Sequence, residues 1–196
     1  MTAPRPMRLA CLVSGGGRSL MNLQDRIDRG ELDAHIVLVL ATRAKVPAIE
    51  RARARGLPVA EVSPAPPETV DDRVDAALRA AKPDLVVLAG YLRLFRVDAW
   101  RGRCINIHPA LLPRHGGPGL WGHHVHQAVL ASGDRETGCT VHWADERYDH
   151  GATILQRRCA VMPGDTPDTL AARVFAEELE ALPEAIRRVA PALRSV

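Results

Sequence analysis

Asn106 and His108 stand two residues apart where the apolar run Cys104–Ile107 ends, inside CINIHPALLP. In an extended segment that spacing turns both side chains to one side. An amide donor beside an imidazole can hold a carbonyl oxygen as it becomes an oxyanion. The imidazole can also move a proton near neutral pH. Pro109 and Pro113 block helix formation and stiffen the exit from the run. Such a pair needs a partner that orients it or tunes its charge. The segment WADERYDHGATI offers Asp145, Glu146 and Asp149, with Asp149-His150-Gly151 at the tightest part of a turn. A carboxylate there can set the charge of the imidazole or take a proton through water. The same Asp-x-Gly also suits plain turn chemistry.

A second candidate lies near the start, where CLVSGGGRSLMNL puts SGGGRS between a strand pattern and a helix pattern. Glycines let the backbone approach a ligand and turn its N–H groups toward an anion, and a helix N-terminus adds partial positive charge. Arg18 can supply a full charge. The spacing is not G-x-G-x-x-G, and the lysine of a P-loop is absent, so neither a dinucleotide nor a nucleoside triphosphate is indicated. A tight turn without a ligand is the alternative for these glycines.

Histidines invite a metal reading: His115, His123, His124, His126, His142 and His150 crowd the second half of the chain. None forms H-E-x-x-H, and no cysteine pairs with them at zinc spacing, so no metal is expected. Cys11, Cys104, Cys139 and Cys159 sit singly in apolar runs, which predicts buried, reduced thiols and a cytoplasmic protein. No apolar run approaches the roughly 20 residues that span a bilayer. The net charge of +3 carries no dense basic run. That argues against nucleic acid and suits small anionic substrates.

These residues need elements to position them. Strand patterns cover Arg8–Val13, His35–Thr42, Pro58–Val62, Leu85–Ala89, Cys104–Ile107, Gly138–Ala144 and Thr153–Ala160. Helix patterns cover Ser19–Arg29, Val46–Arg55, Thr69–Ala81 and Trp121–Ser132. Thr166 reads as an N-cap with Pro167 at the first helical position, and Pro183 should kink or divide the helix that follows before a last segment to about Arg194. The rhythm predicts an α/β fold: a mostly parallel twisted sheet with helices on both faces and an antiparallel C-terminal edge hairpin. In such sheets ligands bind beyond the carboxyl ends of the strands, where both candidate segments lie.

Taken together, VSGGGRSL, AGYLRLF, INIHPALLP, GCTVHWADERYDHGATILQ and AARVFAEELEALPEAI resemble, in that order and over nearly the whole chain, the phosphoribosylglycinamide formyltransferases, folate-dependent enzymes of purine biosynthesis. The resemblance implies a Rossmann-like formyltransferase domain over residues 1–196, with a phosphate-binding half at 1–100 and a catalytic, folate-binding half at 101–196. It implies transfer of formyl from 10-formyltetrahydrofolate, a co-substrate, to the amine of glycinamide ribonucleotide, by a monomer or homodimer without metal, nucleic acid or membrane. Asn106, His108 and Asp149 match the catalytic trio, with His142 in support. Gly15, Gly16, Gly17, Arg18 and Ser19 match the phosphate segment, and Glu178 a contact to the ribose hydroxyls. Leu92, Arg93, Leu94 and Phe95 match a segment lining the folate pocket. Ala144, Asp145, Glu146, Arg147 and Tyr148 match the loop around the pterin, and Asn106 also belongs to that side.

Two departures stand out. Arg18-Ser19 follow the glycines where the family often reads S-G-x-G-S-N, and the Arg114–His124 loop is longer and richer in glycine and histidine than the common form. Three other readings remain. A formyltetrahydrofolate hydrolase should add an N-terminal regulatory domain, and a methionyl-tRNA formyltransferase a C-terminal domain, for which 196 residues leave no room. A non-catalytic nucleotide- or metal-binding module would make the trio a coincidence.

Overall fold

The computed structural model describes residues 5–194. Seven strands follow one another across the sheet in the order β3-β2-β1-β4-β5-β6-β7. The chain divides into two compact units, residues 5–96 with 187–194, and residues 97–186.

The first unit is wound from βα repeats. Strands β1 (Met7–Leu12), β2 (Ala34–Ala41), β3 (Val59–Glu61) and β4 (Leu85–Leu88) pair in parallel, with β1 between β2 and β4. A parallel strand flanked on both sides is covered on both faces, so it must be apolar at nearly every position rather than at alternate ones. β1 and β4 obey this: MRLACL and LVVL are almost wholly buried. Helices α1 (Arg18–Asp28), α2 (Pro47–Ala54) and α3 (Val70–Ala81) make the crossovers. In α3 the buried positions are Val70, Val74 and Leu78, the four-residue spacing that lines one helical face. Each such side chain removed from water contributes about 1.5–3 kcal/mol. α2 begins with Pro47 at its first turn, where a missing N–H costs nothing.

The second unit reverses the direction. β5 (Cys104–His108) pairs antiparallel with β6 (Glu136–Trp143), and β6 antiparallel with β7 (Thr153–Ala160). The predicted edge hairpin is therefore β6–β7, and the reversal begins one strand earlier, at β5–β6. α4 (His123–Ala131) lies between β5 and β6. After β7, α5 runs as one helix, Pro167–Arg194. Thr166 caps it as predicted: its hydroxyl accepts from the Thr169 amide at 3.2 Å, and the Thr169 hydroxyl accepts from the Thr166 amide at 2.9 Å. The expected division at Pro183 does not occur. Ala181, Leu182, Ala185 and Ile186 are all buried around it, and that burial holds the helix through the one hydrogen bond that proline removes.

Cys11, Cys104 and Cys139 are buried as expected, but Cys159 is only half-buried, because edge strand β7 is covered less completely. Burial pushes the Cys11 and Cys139 thiols up to about 12, which removes them as nucleophiles near neutral pH. No helix among the described residues is long and apolar enough to cross a membrane.

Gly138 in β6 lies so close to β7 that a Cβ there would collide with the Arg157 carbonyl. The obstacle is backbone and cannot rotate away. Gly138→Ala is expected to cost about 1–3 kcal/mol, read as a melting temperature lowered by roughly 2–4 °C per kcal/mol. An unchanged melting temperature would show that the two strands separate freely here.

Candidate active site

The β5–β6 register sets Asn106 opposite His142 and His108 opposite Thr140. The turn after β6 then brings Asp149 to the same place. Asp149 takes a left-handed conformation, φ 56°, which aspartate tolerates better than most residues. Gly151 completes the turn, since a Cβ there would strike the Trp143 carbonyl. His108 Nδ1 lies 3.3 Å from Asp149 Oδ2, and Asn106 Nδ2 donates to Asp149 Oδ1 at 3.2 Å. Asn106, His108 and Asp149, inferred from separate stretches of sequence, thus meet. The His108, Asp149 and His142 side chains are only 4%, 8% and 2% exposed.

The hydrogen-bond roles can be worked out from the acceptors. His142 Nδ1 lies 2.9 Å from the Trp143 carbonyl, which can only accept, so Nδ1 carries a proton. In neutral His142 the other nitrogen, Nε2, is then an acceptor, and Asn106 Nδ2 donates to it at 3.1 Å. Both protons of the Asn106 amide are therefore engaged, one by His142 and one by Asp149. Turning the amide over would set its oxygen against the carboxylate, so the orientation is determined. By the same logic His108 Nε2 donates to the His115 carbonyl at 2.7 Å.

The glycine-rich loop after β5 closes on Asp149. The Gly117 amide donates to Asp149 Oδ2 at 3.1 Å. A Cβ at Gly116 would press on the side chains of Leu112 and Asp149. Thr140 anchors the start of the loop: its hydroxyl donates to the Ala110 carbonyl at 2.7 Å and accepts from the Leu112 amide at 3.0 Å. Burial alone would push the Asp149 carboxyl up. The neighbouring His108 and His142 imidazoles and the Gly117 amide outweigh it and hold the carboxyl well below the usual carboxylate range. Asp149 is accordingly ionised.

In the first unit, Gly17 caps α1 with φ 73°. A Cβ on it would come within 2.6 Å of the Ala48 Cβ, so glycine is required on two counts. The loop's carbonyls are tied back. Ser14 O accepts from Arg43, Gly16 O accepts from Arg51 Nη1 at 2.7 Å, and Gly15 O from the Ala48 amide at 3.1 Å. The Gly15, Gly16 and Gly17 amides have no hydrogen-bond partner among the described residues. Carbonyls held in and amides left out make the arrangement that receives an anion.

Several comparisons bear on this geometry. The family model described as formyl transferase matches residues 7–186. The chain belongs to the formyl transferase family. It is 41% identical over 183 residues to the chloroplastic phosphoribosylglycinamide formyltransferase of Arabidopsis thaliana, covering 89% of this chain and 62% of that protein. It is 39% identical to the trifunctional purine biosynthetic protein adenosine-3 of Drosophila melanogaster, covering 95% of this chain but 14% of that one. The chain thus spans less than two thirds of these relatives. Among solved structures, phosphoribosylglycinamide formyltransferase from Brucella melitensis superposes with a TM-score of 0.85 at 36% identity, covering 94% of this chain and 95% of that one. Glycinamide ribonucleotide transformylase 1 from Symbiobacterium toebii gives 0.86 at 35% identity, covering 93% and 86%.

In this formyl transferase the remaining expected residues are distributed as follows. Leu92 and Leu94 are exposed apolar side chains, whereas Phe95 is buried in the core. Arg93 pairs with Asp71 at 3.0 Å, and the Leu92 amide donates to Ser14 Oγ at 3.1 Å. In the loop after β6, the Ala144 amide donates to Cys104 O at 2.9 Å, the Arg147 amide to Asp145 Oδ1 at 2.9 Å, and Glu146 pairs with Arg101. Tyr148 is exposed. Arg18 and Ser19 open α1, and Glu178 lies half-buried on α5. Sequence reasoning missed Arg43, Arg51, Thr140 and the His115 carbonyl. Among the described residues, no group of three or more His, Cys, Asp or Glu is arranged to hold a metal ion.

His126, on α4, is 4% exposed and its Nδ1 has no hydrogen-bond partner among the described residues. Burial, then the charges of His123 and His108, push it down to about 4. The unfolded chain therefore takes up this proton first. Neutral His126 contributes stability that is present above about pH 6.5 and lost as pH falls toward 4. Asp149 contributes stability present above about pH 4 and lost as pH falls through its own, lower folded value. Denaturant titrations across pH are expected to show stability falling between about 6.5 and 4, with His126→Phe flattening that limb. Asp149→Asn should flatten only the limb below it. A His126→Phe profile parallel to the parent's would remove His126 as the cause.

Proposed function

We propose that this formyl transferase moves the formyl group of 10-formyltetrahydrofolate to the amine of glycinamide ribonucleotide, a step of purine biosynthesis. The observation that carries the proposal is the buried Asn106–His108–Asp149 cluster, in which an ionised carboxylate accepts from the Asn106 amide and lies 3.3 Å from His108 Nδ1. Acyl transfer to an amine passes through a tetrahedral species with charge on the former carbonyl oxygen. A neutral amine attacks the formyl carbon, and that oxygen takes up the electron pair. We assign His108 and Asn106 as the donors that meet it.

In the free protein these donors hold internal acceptors. The Asn106 proton given to the His142 ring nitrogen is easier to release than the one given to charged Asp149, because an oxyanion competes well with an imidazole nitrogen. The His108 Nε2 proton is released likewise when the oxyanion replaces the His115 carbonyl. Asp149 keeps the imidazole oriented while a proton passes from the attacking to the leaving nitrogen through His108 or water; the tetrahedral species then collapses, the bond from the formyl carbon to the folate nitrogen breaks, and tetrahydrofolate leaves. His142, with its tautomer set by the Trp143 carbonyl, supports Asn106.

Gly15, Gly16, Gly17, Arg18 and Ser19 receive the phosphate through the free amides, and Glu178 takes the ribose hydroxyls. Binding energy at a phosphate that takes no part in the chemistry serves to position the amine. Leu92, Arg93, Leu94 and Phe95 form one part of the folate site, with Leu92 and Leu94 as its apolar surface. Ala144, Asp145, Glu146, Arg147 and Tyr148, with Asn106, form the other. The halves 1–100 and 101–196 thus divide phosphate recognition from catalysis. Four unpaired thiols suit a reducing compartment such as the cytoplasm, and a monomer or homodimer suffices for this chemistry.

The test mixes the protein with 10-formyltetrahydrofolate and follows the folate absorbance with and without glycinamide ribonucleotide. Turnover is expected only with both substrates. Folate breakdown without the ribonucleotide would make the protein a hydrolase, and no change under either condition would end the enzymatic reading. His108→Ala is expected to lower kcat by about 10²–10⁴, with the melting temperature kept. Near-normal turnover in that variant would remove His108 from the chemistry.

A further inference from the structure

Two contacts hold the His108 ring: Asp149, 3.3 Å from Nδ1, and the His115 carbonyl, 2.7 Å from Nε2. The second is a backbone group, and its direction is set by the chain at 115. His115 has φ 55°, a left-handed conformation that a side chain disfavours and that persists where the surroundings fix it. Glycine would take it freely; a histidine needs a contact that holds it there.

Asp134, in the turn between α4 and β6, makes that contact. Its Oδ2 accepts from His115 Nε2 at 2.7 Å, and its Oδ1 lies 2.7 Å from Arg114 Nη2. Two consecutive residues thus clasp the two oxygens of one carboxylate. The Arg114 side chain is 64% exposed, and an ion pair open to water contributes little. The His115 and Asp134 side chains are 14% and 13% exposed, so theirs is the firmer grip. The hydrogen bond from His115 is the chief cause that lowers the Asp134 carboxyl below its usual value. A carboxylate therefore faces the His115 ring, and Nε2 is the donor. Asp134 makes no hydrogen bond to Asn106, His108 or Asp149 among the described residues, so its reach to the catalytic cluster runs through His115.

We propose that Asp134 is a positioning residue for His108: by gripping the His115 imidazole it fixes the backbone at 115, and the His115 carbonyl then keeps His108 Nε2–H on the side where the oxyanion forms. The inference rests on the role proposed above for His108. A ring held at both nitrogens has its proton aligned before substrate binds. A ring released at Nε2 turns about its side-chain bonds, and a donor misplaced by about 1 Å can cost up to ~10²-fold in rate.

The experiment compares the full chain with Asp134→Ala, His115→Ala and the double variant, by formyl-transfer kinetics and by ¹H–¹⁵N spectra of the imidazole N–H groups. Asp134→Ala is expected to lower kcat about tenfold with KM for both substrates kept, the pattern of an interaction realised in the transition state. His115→Ala should match it, and the double variant should be no slower than either, because two members of one chain of contacts are not additive. The His108 Nε2 proton, assigned by its loss in His108→Gln, should give a slowly exchanging resonance in the parent. It should vanish in Asp134→Ala while the amide spectrum is kept. A merely structural role would lower the melting temperature and leave that resonance and kcat in place. Four results would overturn the proposal: kcat of Asp134→Ala unchanged or raised, a loss carried by KM, a double variant slower than the singles by a further factor of about ten, or an unchanged His108 resonance. If Asp134→Ala does not fold, Asp134→Asn, which keeps one acceptor oxygen, is read the same way, with about a threefold loss expected. If the parent transfers no formyl group, the proposed function fails, and the resonance still decides whether Asp134 holds His108.

Discussion

The site depends on a buried, ionised carboxylate. A carboxylate without partners in the interior costs several kcal/mol or more, so the chain around Asp149 is arranged to meet it. Asn106 and Gly117 give it N–H groups, and His108 Nδ1 faces it. The turn that carries it has a left-handed aspartate and needs a glycine at 151, and the loop that closes over it lies close with a glycine at 116. Three stretches distant in sequence are thereby coupled through one charge. Neutralising that charge would remove the reason for the Asn106 orientation, for the Gly117 contact and for the His108 ring position together.

The same charge explains how the donors can be ready before a substrate arrives. An amide proton pointed at bulk water has many orientations to lose. A proton pointed at a ring nitrogen has one, and is given up to a stronger acceptor. Internal acceptors of graded strength, a neutral nitrogen, a backbone carbonyl and a carboxylate, leave the donors aligned while their release is asymmetric. Preorganisation of this kind lowers the reorganisation needed as charge develops. It also accounts for the depth of the site: in a low-dielectric surround the networked hydrogen bonds are stronger, and an unpaired member more costly.

Much of this was legible in the residues. Parallel strands covered on both faces must be apolar throughout, and MRLACL and LVVL announce that directly. The two-residue spacing of Asn106 and His108 gave their shared face. The Thr166-Pro167 start gave the α5 cap. What stayed hidden has a common cause, since backbone groups carry no residue-specific signal. Nothing in the letter at 115 says that its carbonyl will hold His108. Arg43 and Arg51 could not be told from surface arginines until their loop carbonyl partners were known. The reversal at β5–β6 was hidden because a five-residue apolar strand reads alike in either direction. That Pro183 does not divide α5 has a different reason: local propensity was overruled by burial on both sides of it.

The excess of glycine between Arg114 and His124 follows from the same reasoning. A side chain at 116 would press on the end of Leu112 and on Asp149, so glycine lets the loop lie close without moving them. That closeness lets the Gly117 amide reach the carboxylate. The histidines of the same stretch divide by contact rather than by count. His115 pairs its Nε2 with Asp134 at 2.7 Å while its carbonyl serves His108. His126 is buried and neutral, and His123 reaches an exposed Asp168 at 3.4 Å. A run of letters that suggested metal ligands is thus a set of separate electrostatic tasks.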